Sequence, residues 1–166
     1  MKDENSSSTI DLRLSPGSGL ATCYDIDEKG FQRLKVYGQV PDGAIVSRDY
    51  TEEAGKGWSE YYPVYQAEKA VKDITTVTKR SNMTAEEITL FFVQEGGGMD
   101  ELGWTKAKGW AKVPEYIVEG SGGKVAAVQD SRGITRAYFQ EGNGTVIKEA
   151  VLGADSKWVV TRNTIG

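Results

Sequence analysis

The sequence predicts an all-β protein built of propeller blades, because one pattern of strands and turns occurs three times along the chain. In each copy an apolar-aromatic run ends at a glutamine, a glycine-containing turn and a second short strand follow, and a tryptophan closes the unit. The glutamines are Gln39, Gln94 and Gln140. They recur about every 50 residues, and strand-like units of that length are typical of propellers rather than of helical solenoids.

The three units can each be divided into four strands. The first contains L-K-V-Y-G-Q, then P-D-G, then I-V-S-R-D-Y, and closes at K-G-W. The second contains T-L-F-F-V-Q, E-G-G-G, M-D-E-L-G-W and K-G-W, and the third contains T-R-A-Y-F-Q, E-G-N-G, V-I-K-E-A-V and S-K-W. One more strand precedes each glutamine run and one follows each tryptophan. The sequence therefore predicts three four-stranded antiparallel blades over about 19–65, 72–118 and 123–166.

Segments outside this pattern are expected to be mostly irregular. Residues 1–8 are polar and predict a disordered tail, whereas the alternation in Thr9–Leu14 favours a short extra strand at the start of the folded unit, 9–166. Two stretches contain helix-forming residues: A-E-K-A-V-K-D before Ile74, and T-A-E-E-I from Thr84. Because strand patterns flank both closely, we expect loops or single turns there.

Three blades are too few to close a ring, since propellers have roughly four to eight. An open arc would leave two apolar sheet faces bare, which monomeric soluble proteins rarely do. A two-fold homodimer with six blades solves this, by placing the first blade of one chain beside the third blade of the other. The other solution is that the chain is half of a longer parent.

Composition narrows the function. The chain has 166 residues and a net charge of −4, which disfavours nucleic acid and anionic membrane surfaces as partners. Histidine is absent and there is one cysteine, so His-based catalytic triads are excluded and we expect no metal, no cofactor and no enzyme activity. The polar start shows no secretory signal, which predicts a cytoplasmic or non-classically secreted protein.

The third unit, R-A-Y-F-Q followed by V-I-K-E-A and K-W, resembles one blade of the fungal fucose-specific lectin family. The resemblance extends, more weakly, over the other two units. It implies a six-bladed propeller with sugar sites between neighbouring blades and a fucosylated glycan as partner. It also implies that one blade supplies an arginine and a glutamate to each site, and that the next blade supplies an aromatic platform that includes its tryptophan.

Carried over by position, this resemblance makes Arg136 and Glu149 the complete sugar pair. Their platform would be Trp58, with Tyr50 beside it, from the first blade of a partner chain. The other two units depart from the pattern. The first has Lys35 and Ser47 at the arginine and glutamate positions, and the second has Leu90 and Glu101. Those weaker sites would be faced by Trp110 and Trp158 respectively.

The sequence is also compatible with purely structural roles for these residues. Each tryptophan is also suited to filling the core between blades, and Arg136 and Glu149 could form a cross-strand ion pair on a solvated face. A fucose-binding lectin is the leading hypothesis. The alternatives are a lectin-derived propeller that only serves as an assembly scaffold, and a propeller with an aromatic pocket for a small molecule, such as a cyclase-like enzyme.

Overall fold

A computed structural model of the chain describes residues 13–27, 29–81, 84–113, 117–118, 121–141, 146–153 and 157–165. These residues form strands, turns and loops and contain no helix, which confirms the all-β class. Within this described part, no helix is long and apolar enough to cross a membrane. The strands form three separate antiparallel sheets that follow one another along the chain.

The first sheet contains five strands, because two short strands share its outer edge. The strands are β1 (Ala21–Ile26), β2 (Gln32–Gln39), β3 (Ala44–Thr51), β4 (Gly57–Trp58) and β5 (Tyr62–Gln66). Both β4 and β5 pair with β3, one beyond the other. Pro63 lies in β5, and a proline is tolerated there because an edge strand leaves one row of its N–H groups unpaired. β4 and β5 together thus take the place of a fourth strand.

The other two sheets have four strands each, joined as simple meanders. The second comprises β6 (Val71–Ser81), β7 (Thr84–Gln94), β8 (Met99–Thr105) and β9 (Gly109–Lys112); the third comprises β10 (Ser121–Gln129), β11 (Thr135–Glu141), β12 (Val146–Leu152) and β13 (Trp158–Ile165). A bridge between Met99 and Val118 extends the outer edge of the second sheet beyond β9. Three antiparallel blades of four strand positions are therefore confirmed.

Three local predictions meet different outcomes. The segment 84–88 is not a loop or turn but the start of β7, where Thr78 pairs with Ile88 and Lys79 with Glu87. Pairing with the threonine-rich β6 overrides the helical preference of T-A-E-E-I. The A-E-K-A-V-K-D segment is irregular only up to residue 70, and β6 begins at Val71. Residues 1–12 lie outside the described residues, and Arg13 and Leu14 are not in a strand.

The blades stack in chain order, with the second in the middle. The first strand of each blade lies innermost, and hydrogen bonds join these strands across the junctions. Thr76 Oγ1 donates to the Thr22 carbonyl at 2.7 Å, between the first and second blades. The backbone N–H of Val125 donates to Asp73 Oδ2 at 2.9 Å, between the second and third.

Each blade has two faces, because successive side chains of a strand point to opposite sides. We call the face that carries Tyr37, Phe91 or Tyr138 the forward face, and the face that carries the closing tryptophan the rear face. The forward face of one blade packs against the rear face of the next. Two buried clusters form at these contacts. One contains Tyr37 and Phe92, from the first and second blades, and the other contains Phe91 and Phe139, from the second and third blades.

This arrangement leaves two faces at the ends of the stack. They are the rear face of the first blade, which carries Trp58, and the forward face of the third blade, which carries Tyr138. Apolar side chains are exposed on the latter: Val128 is 51% exposed, Ile147 40% and Val159 59%. At the two internal junctions the counterparts of Val128 and of Ile147 are buried (Cys23 and Val77, and Ile45 and Met99), so the third blade has the surface of a blade that lacks its neighbour.

Two glutamines of the repeat, Gln39 and Gln94, hold the connection between the first and second blades by hydrogen bonds. Gln39 is buried, and its Oε1 accepts a hydrogen bond from the N–H of Val71 at 2.7 Å. Its Nε2 donates to the carbonyls of Gly43, at 3.0 Å, and Lys69, at 3.1 Å. Gln94 Oε1 accepts from the N–H of Lys69 at 3.1 Å. Two glutamine side chains therefore hold the connection between the first and second blades.

Replacing Gln39 with leucine should lower the free energy of unfolding by about 1–3 kcal/mol, because buried backbone groups would lose their hydrogen-bond partner. Urea denaturation monitored by tryptophan fluorescence measures the change. Gln66→Leu is the matched control, since Gln66 Nε2 bonds the Asp42 carbonyl at an exposed position and should cost much less. Equal losses in the two variants would contradict the fastening role of Gln39.

Candidate functional site

The strand register identifies equivalent positions in the three blades. In each sheet, an aromatic residue of the forward face lies opposite the position predicted for a sugar-binding glutamate: Tyr37–Ser47, Phe91–Glu101 and Tyr138–Glu149. The position two residues before the aromatic is the predicted arginine position. It holds Lys35 in the first blade and Arg136 in the third, as expected, and Thr89 in the second.

The assignment of Leu90 to the arginine position is therefore wrong. Gln94 lies three residues after Phe91, whereas Gln39 and Gln140 lie two residues after their aromatic residues, so counting back from the glutamine misplaces the second blade by one residue. A one-residue slip in a strand moves a side chain to the other face. Leu90 is accordingly on the rear face, fully buried against the first blade.

The forward face of the third blade carries a connected polar cluster. Arg136 Nη1 donates to Glu149 Oε1 at 2.8 Å, and the Tyr138 hydroxyl donates to the same oxygen at 3.0 Å. All three side chains are partly exposed. They lie on neighbouring strands because Tyr138 pairs directly with Glu149, while Arg136 reaches it from the next position along β11.

The electrostatics keep this cluster charged. The Arg136 guanidinium, with help from the Tyr138 hydroxyl, holds the pKa of the Glu149 carboxyl below its ordinary value. The carboxylate in turn raises the pKa of the Tyr138 hydroxyl. At neutral pH the cluster therefore offers guanidinium N–H donors, a carboxylate acceptor and a hydroxyl that can donate or accept. Groups of these kinds pair with sugar hydroxyls.

The predicted aromatic platform lies at the other end of the stack. Trp58 pairs with Tyr50 across β4 and β3, and their ring centroids are 5.3 Å apart at a 54° tilt. The guanidinium carbon of Arg48 lies 5.9 Å from the centre of the Trp58 ring. Within one chain, the structure thus brings Trp58 to Tyr50 and Arg136 to Glu149, but it does not bring the two pairs together.

At the junction of the first and second blades, polar side chains of the first blade bond one another. Lys35 forms an ion pair with Asp49, whose carboxylate also accepts hydrogen bonds from Ser47, at 2.9 Å, and Tyr62, at 3.0 Å. Burial opposes the charge of Lys35, but the bond to Asp49 outweighs it and raises the Lys35 pKa. Trp110, from the second blade, meets Tyr37 edge-on at 5.8 Å.

At the junction of the second and third blades, the tryptophan bonds the glutamate directly. Trp158 Nε1 donates to Glu101 Oε2 at 2.9 Å, and the Trp158 ring packs edge-on against Phe91 at 5.5 Å. Burial raises the pKa of the Glu101 carboxyl, and the Trp158 bond offsets part of this. Trp158 therefore serves the Glu101 position and lies on the face opposite Arg136.

Sequence reasoning missed Asp49, Tyr62 and Tyr138. Tyr138 was visible in the motif R-A-Y-F-Q but was not assigned a role, and its pairing with Glu149 follows only from the register. Asp49 and Tyr62 have no counterpart in the motif, so no sequence signal pointed to them. Among the described residues, no group of three or more Cys, Asp or Glu side chains is placed to hold a metal ion.

No protein-family profile matches this chain, and no curated protein sequence is significantly similar to it. Solved structures, in contrast, share its fold. AofleA from Arthrobotrys oligospora superposes with a TM-score of 0.67 at 19% identity over 93% of this chain and 43% of its own. The fungal lectin of Aleuria aurantia, a six-bladed β-propeller that recognises fucose, gives 0.64 at 18% over 90% of this chain and 47% of its own.

This chain thus spans about half the length of those two proteins. A fucose lectin from Kordia zhangzhouensis, in complex with methyl-fucoside, gives a TM-score of 0.60 at 19% identity over 88% of this chain and 99% of its own. A chain of this shorter length therefore also occurs in the fold. The fold of this protein is that of three consecutive blades of the fucose-lectin propeller, which confirms the resemblance read from the sequence.

The Glu101 carboxyl should oppose folding at neutral pH. A pKa raised in the folded state means that the folded protein binds the proton more tightly, so stability falls as the pH rises above about 4.3, the value for an unfolded glutamate. Glu101→Gln, which can still accept from Trp158, should therefore be more stable than the parent at pH 7. The gain should shrink towards pH 4 in urea denaturation.

Glu95→Gln is the control for this experiment, because Glu95 is exposed and its replacement should change stability little at either pH. A loss of stability in Glu101→Gln at pH 7, or a gain that is equally large at pH 4, would contradict this account of the partly buried carboxyl.

Proposed function

We propose that this protein is a carbohydrate-binding lectin for fucose-type sugars, with its sugar site between the third blade of one chain and the first blade of a second copy. The observation that carries the proposal is the cluster of Arg136, Tyr138 and Glu149 on an end face of the stack. Its groups are preorganised by mutual hydrogen bonds and partly exposed, at the position equivalent to the two internal junctions.

The chemistry of this cluster suits a sugar. A guanidinium carries five N–H donors in a rigid fork, and the bond to Glu149 uses one of them. Glu149 has acceptor sites beyond those taken by Arg136 and Tyr138. Hydroxyl groups on adjacent ring carbons need donors and acceptors side by side, and this cluster supplies them. A site of this kind discriminates strongly against analogues that leave its polar groups unpaired.

The missing half of the site is present at the other end of the chain. At the second internal junction, Trp158 of the following blade reaches Glu101 of the preceding one. The same relation, applied to the third blade, requires the tryptophan of a following first blade, which is Trp58. Its neighbour Tyr50 widens the aromatic surface. Such a surface covers the apolar face or methyl group of a fucose ring.

A two-fold dimer satisfies this requirement twice. Each third blade then meets the first blade of the other chain, which gives a six-bladed ring with two identical junctions. The exposed apolar side chains of the third blade support association, because soluble proteins rarely leave such a face bare. The three-blade length of the Kordia lectin chain, which was solved with methyl-fucoside, also supports a functional chain of this size.

The two internal junctions are poor sugar sites on the same reasoning. Asp49 already binds Lys35, Ser47 and Tyr62, and a lysine cannot reproduce the arginine fork. At the second junction, Thr89 replaces the arginine and Glu101 is occupied by Trp158. We therefore expect two sugar sites per ring, one at each junction between chains.

Replacing Arg136 with alanine should weaken fucose binding about ten- to hundredfold or abolish it, since charge-assisted contacts to the sugar would be lost. Lys35→Ala is the matched control and should leave affinity nearly unchanged. Titration calorimetry with methyl-fucoside measures both. Unchanged affinity in Arg136→Ala would show that the sugar site is elsewhere, and absence of binding by the parent protein on a glycan array would overturn the lectin proposal.

Sugar binding should also stabilise the dimer, because a ligand that binds only the assembled ring favours assembly by mass action. Dimer dissociation on dilution, followed by analytical ultracentrifugation, should be suppressed by saturating methyl-fucoside. Trp58→Ala should weaken sugar binding while the circular dichroism spectrum stays unchanged. If saturating methyl-fucoside left the dimer dissociation constant unchanged, the sugar site would lie within one chain. That result would contradict a site formed between two chains.

A further inference from the structure

The segment before the first strand, residues 13–18, covers part of the rear face of the first blade; we call it the N-terminal strap. The N–H of Ser15 donates to the carbonyl of Gln39 at 2.7 Å, and a turn closed by Ser18 and Ser15 follows. Leu14 packs directly on Gly38. A Cβ atom on Gly38 would lie only 2.6 Å from a terminal methyl of Leu14, so this contact requires a residue without a side chain.

Gly38 occupies a position that is aromatic in the other two blades. It follows Tyr37 directly, as Phe92 follows Phe91 and Phe139 follows Tyr138. The positions are also equivalent in register, because each pairs with the residue just before the glutamate position of its blade. Leu14 thus supplies, from the strap, an apolar side chain where the second and third blades supply a phenylalanine from the strand itself.

Those two phenylalanines are the side chains that enter the preceding blade. Phe92 is fully buried in one cluster with Tyr37 and Ile45 of the first blade. Phe139 is 2% exposed, in one cluster with Phe91 and Met99 of the second blade. At each internal junction a rear-face phenylalanine therefore packs against two forward-face residues of the preceding blade. One is the aromatic residue, and the other is the apolar residue two positions before the cross-strand partner of that aromatic.

The third blade has the same receiving position on its forward face. Tyr138 is equivalent to Tyr37 and Phe91, and Ile147 is equivalent to Ile45 and Met99. Both Ile45 and Met99 are 0% exposed, whereas Ile147 is 40% exposed. The difference is the side chain that a following blade would insert.

A cavity of about 190 Å³ opens at this position. Its walls include Ala126, Tyr138 and Ile147 and are largely apolar; the polar groups of the lining belong to Gln140, to the hydroxyl of Tyr138 and to the exposed side chain of Lys124. Ala126 belongs to the same face, since it pairs with Tyr138 across β10 and β11. A branched aliphatic side chain meets the apolar part of these walls without leaving a polar group of its own unpaired.

We propose that Leu14 of one chain fills this cavity on the third blade of a second copy, so that the N-terminal strap is part of the contact that closes the ring. The inference rests on the ring closure of the proposed function, but not on its sugar. The occupant is identified by the two internal junctions, which show what kind of side chain this position receives and from which face. The strap thereby supplies the apolar side chain that the rear face of the first blade needs in order to pack against the third blade of the second copy.

The test is the dissociation constant of the dimer in four proteins: the parent, Leu14→Ala, Leu14→Ala combined with Gly38→Phe, and Val160→Ala. Removing Leu14 should weaken each junction about tenfold. Because the ring has two junctions, the dimer dissociation constant should rise about a hundredfold in sedimentation equilibrium. The added phenylalanine, placed as in the other two blades, should restore at least part of the association.

Val160→Ala is the matched control, because Val160 is 40% exposed and pairs with Ala150 on the rear face of the third blade, away from the cavity, so its truncation should leave the constant unchanged. A parent protein that stays a monomer of 18.1 kDa at all concentrations would overturn the inference. An unchanged dimer dissociation constant in Leu14→Ala would also overturn it. If the urea midpoint of that variant fell while the dissociation constant stayed the same, the leucine would only cover its own blade. Loss of fucose binding with intact association would instead remove the sugar site and leave this contact standing.

Discussion

The whole structure depends on the burial of each blade against its neighbour. A single blade cannot bury its apolar surface alone. The second blade has buried apolar residues on both faces, with Phe92 in one cluster and Phe91 in the other. Phe92 and Phe139 close the two internal junctions, and full burial of such a side chain stabilises by about 1.5–3 kcal/mol. In a stack of three blades, two junctions are buried and one face at each end remains uncovered. The packing that holds the chain together therefore also leaves two surfaces suited to association.

The distribution of polar groups follows from this packing. Where two blades of one chain meet, polar side chains are enclosed and must find partners inside the protein, because an unpaired buried group is costly. Asp49 with Lys35 and Glu101 with Trp158 are the results. On the third blade no such enclosure exists, and Arg136 and Glu149 keep capacity for an external ligand. The blade that lacks a neighbour is therefore the one that is chemically available.

The sequence predicted the class of fold well, because a repeat fixes many features at once. Three glutamine-turn-tryptophan units were enough to infer three antiparallel blades, and the resemblance of the third unit to a lectin blade paired Arg136 with Glu149. It failed where one residue decides the outcome. The extra residue between Phe91 and Gln94 reverses which side chain faces the third blade, and only the cross-strand register shows it.

Other features were beyond sequence reasoning for a different reason. T-A-E-E-I has a local preference for a helix, and only its partner strand makes it β. The contact of Leu14 with Gly38 joins residues from separate segments, and a glycine in a strand gives no indication of which side chain will lie above it. The network of Asp49 with Tyr62 likewise forms between strands that the motif does not relate. Each of these depends on tertiary neighbours that no local pattern encodes.

Each sheet consists of strands that are consecutive in the chain, and no strand is exchanged between blades. Joining two such chains head to tail by a linker would therefore need no redesign of any blade. The linker would convert association of two molecules into an internal contact, at an effective concentration set by its length. In the proposed six-bladed ring, duplication of the gene would place both halves in one chain, and a cut at a blade boundary would separate them again. Both chain lengths occur among the structural neighbours, since this chain covers 43% of AofleA but 99% of the Kordia lectin chain.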